Sequence, residues 1–171
     1  MESRAKLFGH AIHPILIVFP LGLLATGVVF DIIYLITGDP MFSIVSFWMI
    51  SAGLIGGILA APFGFYDWAH IPKGTRARSL GLIHGLVNTL VLIAFFISWF
   101  MRYSFPARPD ITASIFSFIG VTLALVGGWL GGELVERLGV GVDDGANLDA
   151  PNSLTSSSTR PVEVIQKPAH H

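Results

Sequence analysis

The sequence predicts an all-α fold: a four-helix transmembrane bundle with up-down-up-down topology. Three observations lead there. Of the 171 residues, 53% are hydrophobic and 12% charged, and the mean hydropathy is +0.71, far more apolar than a soluble domain of this size. The few charges cluster between apolar runs instead of interleaving with them. Each run approaches or exceeds the ~20 residues that carry a helix across a bilayer, where only helices and closed barrels satisfy their own backbone.

The spans are expected at about 14–37, 41–66, 79–101 and 111–138, so that residues 1–140 form the membrane domain. Met1 to Phe8 is a short, mildly basic head carrying Arg4 and Lys6. The first run outlasts the ~7–15 apolar residues of a signal peptide and reads as a retained span. Pro14 suits its first helical position, whereas Pro20 lies deeper and should kink the helix or loosen a turn. Asp31 falls roughly 25 Å further along, near the far interface, where a carboxylate is tolerated. Gly38-Asp39-Pro40 turns the chain into the second span, in which Gly53, Gly57 and Ala61 make a flat stripe for close packing. A basic loop with Lys73, Arg76 and Arg78 leads to the third span, which carries His84 and Asn88 on one face. Asp110 is placed to cap the fourth span, which has the overlapping small-residue pairs Gly127/Gly131 and Gly128/Gly132, then Glu133. Residues 141–171 form a polar tail with little to bury, expected to be flexible. No internal repeat is evident.

Short connections between four spans place the start of the first and third level with the end of the second and fourth. His10, His13, Asp67, His70, His84 and Glu133 then share one face of the membrane. His10/His13 and Asp67/His70 are each three apart and share a face where the chain is helical. Ionisable groups at span ends are ordinary one by one, because that is where polar groups are tolerated. Convergence from four helices is the stronger signal, and imidazole with carboxylate suits iron, zinc or manganese. His13 and His84 are the hardest to dismiss, since apolar helix follows each. Haem b would take one imidazole from each of the diagonal first and third helices; a non-haem ion would use Asp67 and Glu133 directly. The candidate ligands are therefore His13, His84, His10, Asp67 and Glu133, supported by Asn88, His70 and Arg76. The absence of cysteine excludes disulfides, thiolate ligands and covalent c-type haem within the chain. A net charge of −1 gives no reason to expect nucleic acid.

The chain resembles a family of bacterial membrane proteins, domain of unknown function 2231. The likeness rests on Gly9-His10-Ala11-Ile12-His13-Pro14 with Phe19-Pro20, Gly64-Phe65-Tyr66-Asp67-Trp68, Gly74-Thr75-Arg76-Ala77 and His84-Gly85-Leu86-Val87-Asn88. Gly131-Gly132-Glu133-Leu134-Val135, leading to Gly139-Val140-Gly141-Val142-Asp143, completes it. Members look like four-helix membrane modules, some fused to Rieske or cytochrome c domains, which implies a redox setting. Many relatives carry His where this chain has Glu133, a departure that bears on an all-imidazole ligand set.

The expected function is a redox-associated membrane protein with a metal ion or haem b at the cytoplasmic face, in the bilayer and beside a redox partner or larger membrane complex. The alternative is a structural or accessory subunit without a cofactor, docking through its glycine faces. A proton pathway has less support, because the far half offers little beyond Asp31. Arg4, Lys6, Lys73, Arg76, Arg78 and Arg137 on one side against Arg102 and Arg108 on the other put both termini in the cytoplasm of a bacterial inner membrane.

Overall fold

The computed structural model describes residues 1–154. Among them, four helices are long and apolar enough to cross a membrane. A short hairpin, β1 (Lys6–Leu7) and β2 (His10–Ala11), precedes α1 (Ile12–Thr37), α2 (Pro40–Ala69), α3 (Arg76–Arg102) and α4 (Ile111–Gly132). A π-helical turn, Glu133–Arg137, extends α4.

Local chemistry sets the helix ends. Asp39 accepts a hydrogen bond from the Met41 N–H at 2.9 Å, with Pro40 at the first helical position. Asp110 does the same for the Thr112 N–H at 2.8 Å, as its position in the sequence suggests. Gly38 closes α1 in the left-handed conformation at φ 69°, its N–H donating to the Tyr34 carbonyl. Beyond α2, Arg78 Nη1 donates to the carbonyls of Trp68, Ala69 and Ile71, and its guanidinium lies 4.5 Å from the Trp68 ring. Those are the acceptors that a helix C-terminus leaves unpaired, and a cation suits that end of the dipole.

Pro14 is the third residue of α1 rather than the first, still within the first turn, where its missing N–H forfeits no intrahelical bond. Pro20 is carried within the helix, and its ring faces Gly56 of α2, where an added Cβ would lie 3.1 Å from Pro20 Cδ. A neighbouring helix with no side chain at that point makes room for the ring.

The helices pair as two hairpins, α1 with α2 and α3 with α4, packed far more closely within each pair than between them. Small residues sit at the contacts: Gly53 faces Leu24 of α1, and Gly57, one turn on, faces Leu92 of α3. The expected stripe ends there, since Ala61 is exposed. Leu24, Val28, Ile50, Leu54, Val91 and Phe95 form the mid-bundle core. Large apolar side chains such as Ile36, Trp48, Phe100 and Trp129 point outward, the surface a bilayer would cover.

The first residues of the tail are tied back to the head. Gly141 N–H donates to the Met1 carbonyl, Asp144 N–H to Glu2, and Lys6 Nζ reaches Glu2 at 2.7 Å and Asp143 at 3.4 Å. The chain therefore begins and leaves the membrane domain at one end of the bundle. Ser156, Ser157, Ser158, Pro161, His170 and His171 lie outside the described residues.

Candidate functional site

Two polar clusters occupy opposite ends of the bundle. At the end where α1 and α3 begin, His13 and His84 are held in the same way. His13 Nδ1 lies 3.0 Å from the Ala60 carbonyl of α2, and His84 Nδ1 lies 3.0 Å from the Gly127 carbonyl of α4. A carbonyl can only accept, so Nδ1 carries the proton in each neutral ring and Nε2 presents its lone pair. A glycine one turn beyond each carbonyl lets the ring lie against the neighbouring helix. A Cβ on Gly64 would come within 2.7 Å of His13 Cε1, and one on Gly131 within 3.2 Å of His84 Cε1. Asn88 Nδ2 donates to the His84 carbonyl at 2.9 Å and stands 3.3 and 3.2 Å from the two ring nitrogens. Near equidistance from both places the amide over the ring face, so it occupies neither in-plane lone-pair direction.

The other predicted ligands have different partners. His10 is not on a helical face shared with His13: it lies on β2, exposed, with Nε2 3.2 Å from Ser153 Oγ. The reason is the two-residue turn Phe8-Gly9, with φ of 50° and 84°, which reverses the chain just before α1. Asp67 accepts from Ser3 Oγ at 2.7 Å and from the N–H groups of Arg4 and Ala5 at 2.8 and 3.3 Å. It fastens the head onto the end of α2. Glu133 pairs with Arg76 at 3.0 Å and lies 4.0 Å from Arg137. His70 caps α2, exposed, with Nδ1 2.8 Å from the Tyr66 carbonyl. Among the described residues, no three His, Asp or Glu side chains form a group able to hold a metal ion.

The second cluster was not legible as a site. Asp31, read as an interfacial carboxylate, and Arg102, read as a loop charge, are both fully buried and form a two-pronged ion pair at 2.7 and 3.0 Å. Arg102 also donates to Ser46 Oγ, Ser98 Oγ, Ser117 Oγ and the Ser98 carbonyl. Ser98 and Ser117 bond each other at 2.7 Å. Every guanidinium donor is thereby engaged, as a buried cation requires. Only the neighbouring Ser114 Oγ, among the buried side-chain polar atoms described, has no hydrogen-bond partner. Two opposite charges, each the same distance along the chain beyond a histidine, were the available signal.

The comparisons with known proteins add one match. The family described as "Predicted membrane protein (DUF2231)" matches residues 9–144, a stretch containing both clusters. No curated protein and no solved structure matches the chain.

Proposed function

The chain belongs to the DUF2231 family of predicted membrane proteins, and from that premise we propose that it is a redox-associated membrane module whose ligands are His13 and His84. The observation that carries this is the matched pair of Nδ1–carbonyl bonds, each over a glycine, which fixes two imidazoles with Nε2 available. Metal-ligating histidines characteristically donate their second N–H to such a carbonyl. The donor set fits haem b better than a non-haem ion, because Asp67 and Glu133 are engaged by the head and by Arg76. Haem held between two imidazoles carries single electrons. The chain's own part is to fix both tautomers, to keep the rings from turning, and to hold them inside an apolar bundle.

The charge bias supports a cytoplasmic position for this face. With Arg102 withdrawn into the bundle, Arg108 alone among the described lysines and arginines sits in the connection at the other end. A second reading, an accessory subunit, draws on Gly128 and Gly132, which have nothing within 4 Å and turn a small-residue face of α4 outward.

Absorption spectroscopy of the detergent-purified protein, with metal analysis, separates the readings. The redox reading expects a Soret band that shifts on reduction, is lost in His13→Ala and His84→Ala, and survives in His10→Ala. Stoichiometric metal without a Soret band would move the assignment to a non-haem ion. Absence of both, with co-purification of a membrane complex through the Gly128/Gly132 face, would favour the accessory subunit.

A further inference from the structure

A set of contacts recurs at equivalent positions in the two hairpins. Residues of α1 correspond to residues of α3 at a constant spacing of 71. His13 matches His84, Leu24 matches Phe95, Gly27 matches Ser98 and Asp31 matches Arg102. A second constant spacing relates α2 to α4, matching Ser46 to Ala113, Ile50 to Ser117, Gly53 to Gly120, Ala60 to Gly127 and Gly64 to Gly131. Under this correspondence the contacts coincide. His13 bonds the Ala60 carbonyl over Gly64, and His84 bonds the Gly127 carbonyl over Gly131. A Cβ at Gly53 would strike Leu24 at 2.6 Å, and one at Gly120 would strike Phe95 at 2.6 Å. Gly27 abuts Ile50 and the Ser46 carbonyl, as Ser98 abuts Ser117 and the Ala113 carbonyl. Pairs matched by contact need not match by residue type, so the repeat is hard to read in the letters.

The Asp31–Arg102 bond joins two equivalent positions. A contact between equivalent positions lies on or beside the two-fold axis that relates the copies. Parallel repeats about an axis along the membrane normal are an established way of building membrane domains. The same axis passes between His13 and His84, roughly 27 Å away along the helices. Contacts between the hairpins are sparse elsewhere, so the ion pair is the strongest directional link across the axis. Hydroxyls make its polarity specific: Ser98 and Ser117 line the Arg102 side, whereas their counterparts Gly27 and Ile50 offer Asp31 none.

We infer that the bundle is a tandem repeat of one histidine-bearing hairpin, and that the Asp31–Arg102 pair on its two-fold axis is the positioning device that sets His13 opposite His84. The axis gives the two imidazoles of the proposed site equivalent settings, so this deepens the reading above while standing on separate contacts.

The chain has no cysteine, so spin labels can be placed cleanly at Phe19→Cys and Leu90→Cys, equivalent exposed positions near the histidine end. Pulsed dipolar spectroscopy of the full chain should give one narrow label–label distance. Asp31→Asn should broaden or shift it. The reversed pair Asp31→Arg with Arg102→Asp should recover it in part. Adding Gly27→Ser and Ile50→Ser, which carry the hydroxyl cradle to the other copy, should recover it further. A distance unchanged in Asp31→Asn would overturn the positioning role. Reversed-pair protein that gains nothing from the transplanted serines, or that fails to fold with or without them, would overturn the two-fold equivalence. A preparation that keeps the narrow distance yet lacks a Soret band and metal would refute the proposed function and leave this inference standing.

Discussion

Replacing the glycine under each histidine separates the two half-sites by a calculable margin. At Gly64 an added Cβ would meet His13 Cε1 at 2.7 Å, Nδ1 at 2.9 Å and Nε2 at 3.2 Å, so the whole ring must lift off α2. Lifting it breaks the 3.0 Å bond to the Ala60 carbonyl. Overpacking costs about 1–3 kcal/mol and the lost hydrogen bond about 1 kcal/mol. Alanine returns roughly 1 kcal/mol through helix propensity. Gly64→Ala should therefore destabilise by about 1–3 kcal/mol net. At Gly131 the nearest approaches are 3.2 Å to His84 Cε1 and 3.7 Å to Nδ1. A shift of a few tenths of an ångström relieves these with the Gly127 bond intact, so Gly131→Ala should fall within about 1 kcal/mol of wild type. Gly128→Ala, with open space beside it, serves as control. Denaturant titration in detergent gives the stabilities, and nitrogen NMR of the imidazoles shows whether His13 alone loses its Nδ1-protonated tautomer. Equal losses at Gly64 and Gly131, or a greater loss at Gly131, would refute the steric reasoning.

Ser114→Ala should be neutral or raise thermal stability, by up to about 1 kcal/mol, because a buried hydroxyl without a partner is removed. Ser117→Ala, which takes a partner from Ser98 and Arg102, should lower it by about 1–2 kcal/mol in the same melting experiment. Arg78→Ala uncaps three carbonyls at the end of α2 and removes the stack on Trp68. Faster amide exchange at His70 and Ile71, whose N–H groups close the end of α2, and a loss of about 1–3 kcal/mol should follow. Between head and tail, the hydrogen bond from Lys6 lowers Glu2 below its ordinary 4.5, and the Gly145 N–H, then Lys6, lowers Asp143 below 3.8. Depressed carboxylates stabilise fully above those ordinary values, and the contribution fades as pH falls through the lowered ones. Hydrogen exchange at residues 141–145, corrected for intrinsic rate, should show steady protection near neutrality that fades as pH falls below those ordinary values.

What the sequence disclosed and what it withheld divide along the reach of the interactions. The cap at Asp110 and the turn at Gly38-Asp39-Pro40 are decided by groups within a few residues, and they stand where the sequence puts them. The shared level of His13 and His84 follows from span lengths alone. Asp67 looked like a ligand because its partners, Ser3 to Ala5, come from a distant part of the chain that folds back. His10 was misplaced because the hairpin turns on Phe8 in a left-handed conformation, without the Asn-Gly or Asp-Gly signature of such turns. Asp31 and Arg102 each looked interfacial, since neither reveals the other until the first and third helices are known to meet. The repeat hid for a related reason: its axis position carries opposite charges in the two copies.

The division into two closely packed hairpins has a bearing on how the protein is made. Helices leave the ribosome in order, and α1 and α2 can close on each other before α3 exists, the Gly53–Leu24 and Gly27–Ile50 contacts lying between those two helices. Asp31 at that stage has no countercharge, and the residue that answers it is the last of α3. The carboxylate of the nascent first hairpin therefore waits for its partner until the third crossing is nearly finished. The ion pair that links the two hairpins can close only once the third helix is complete.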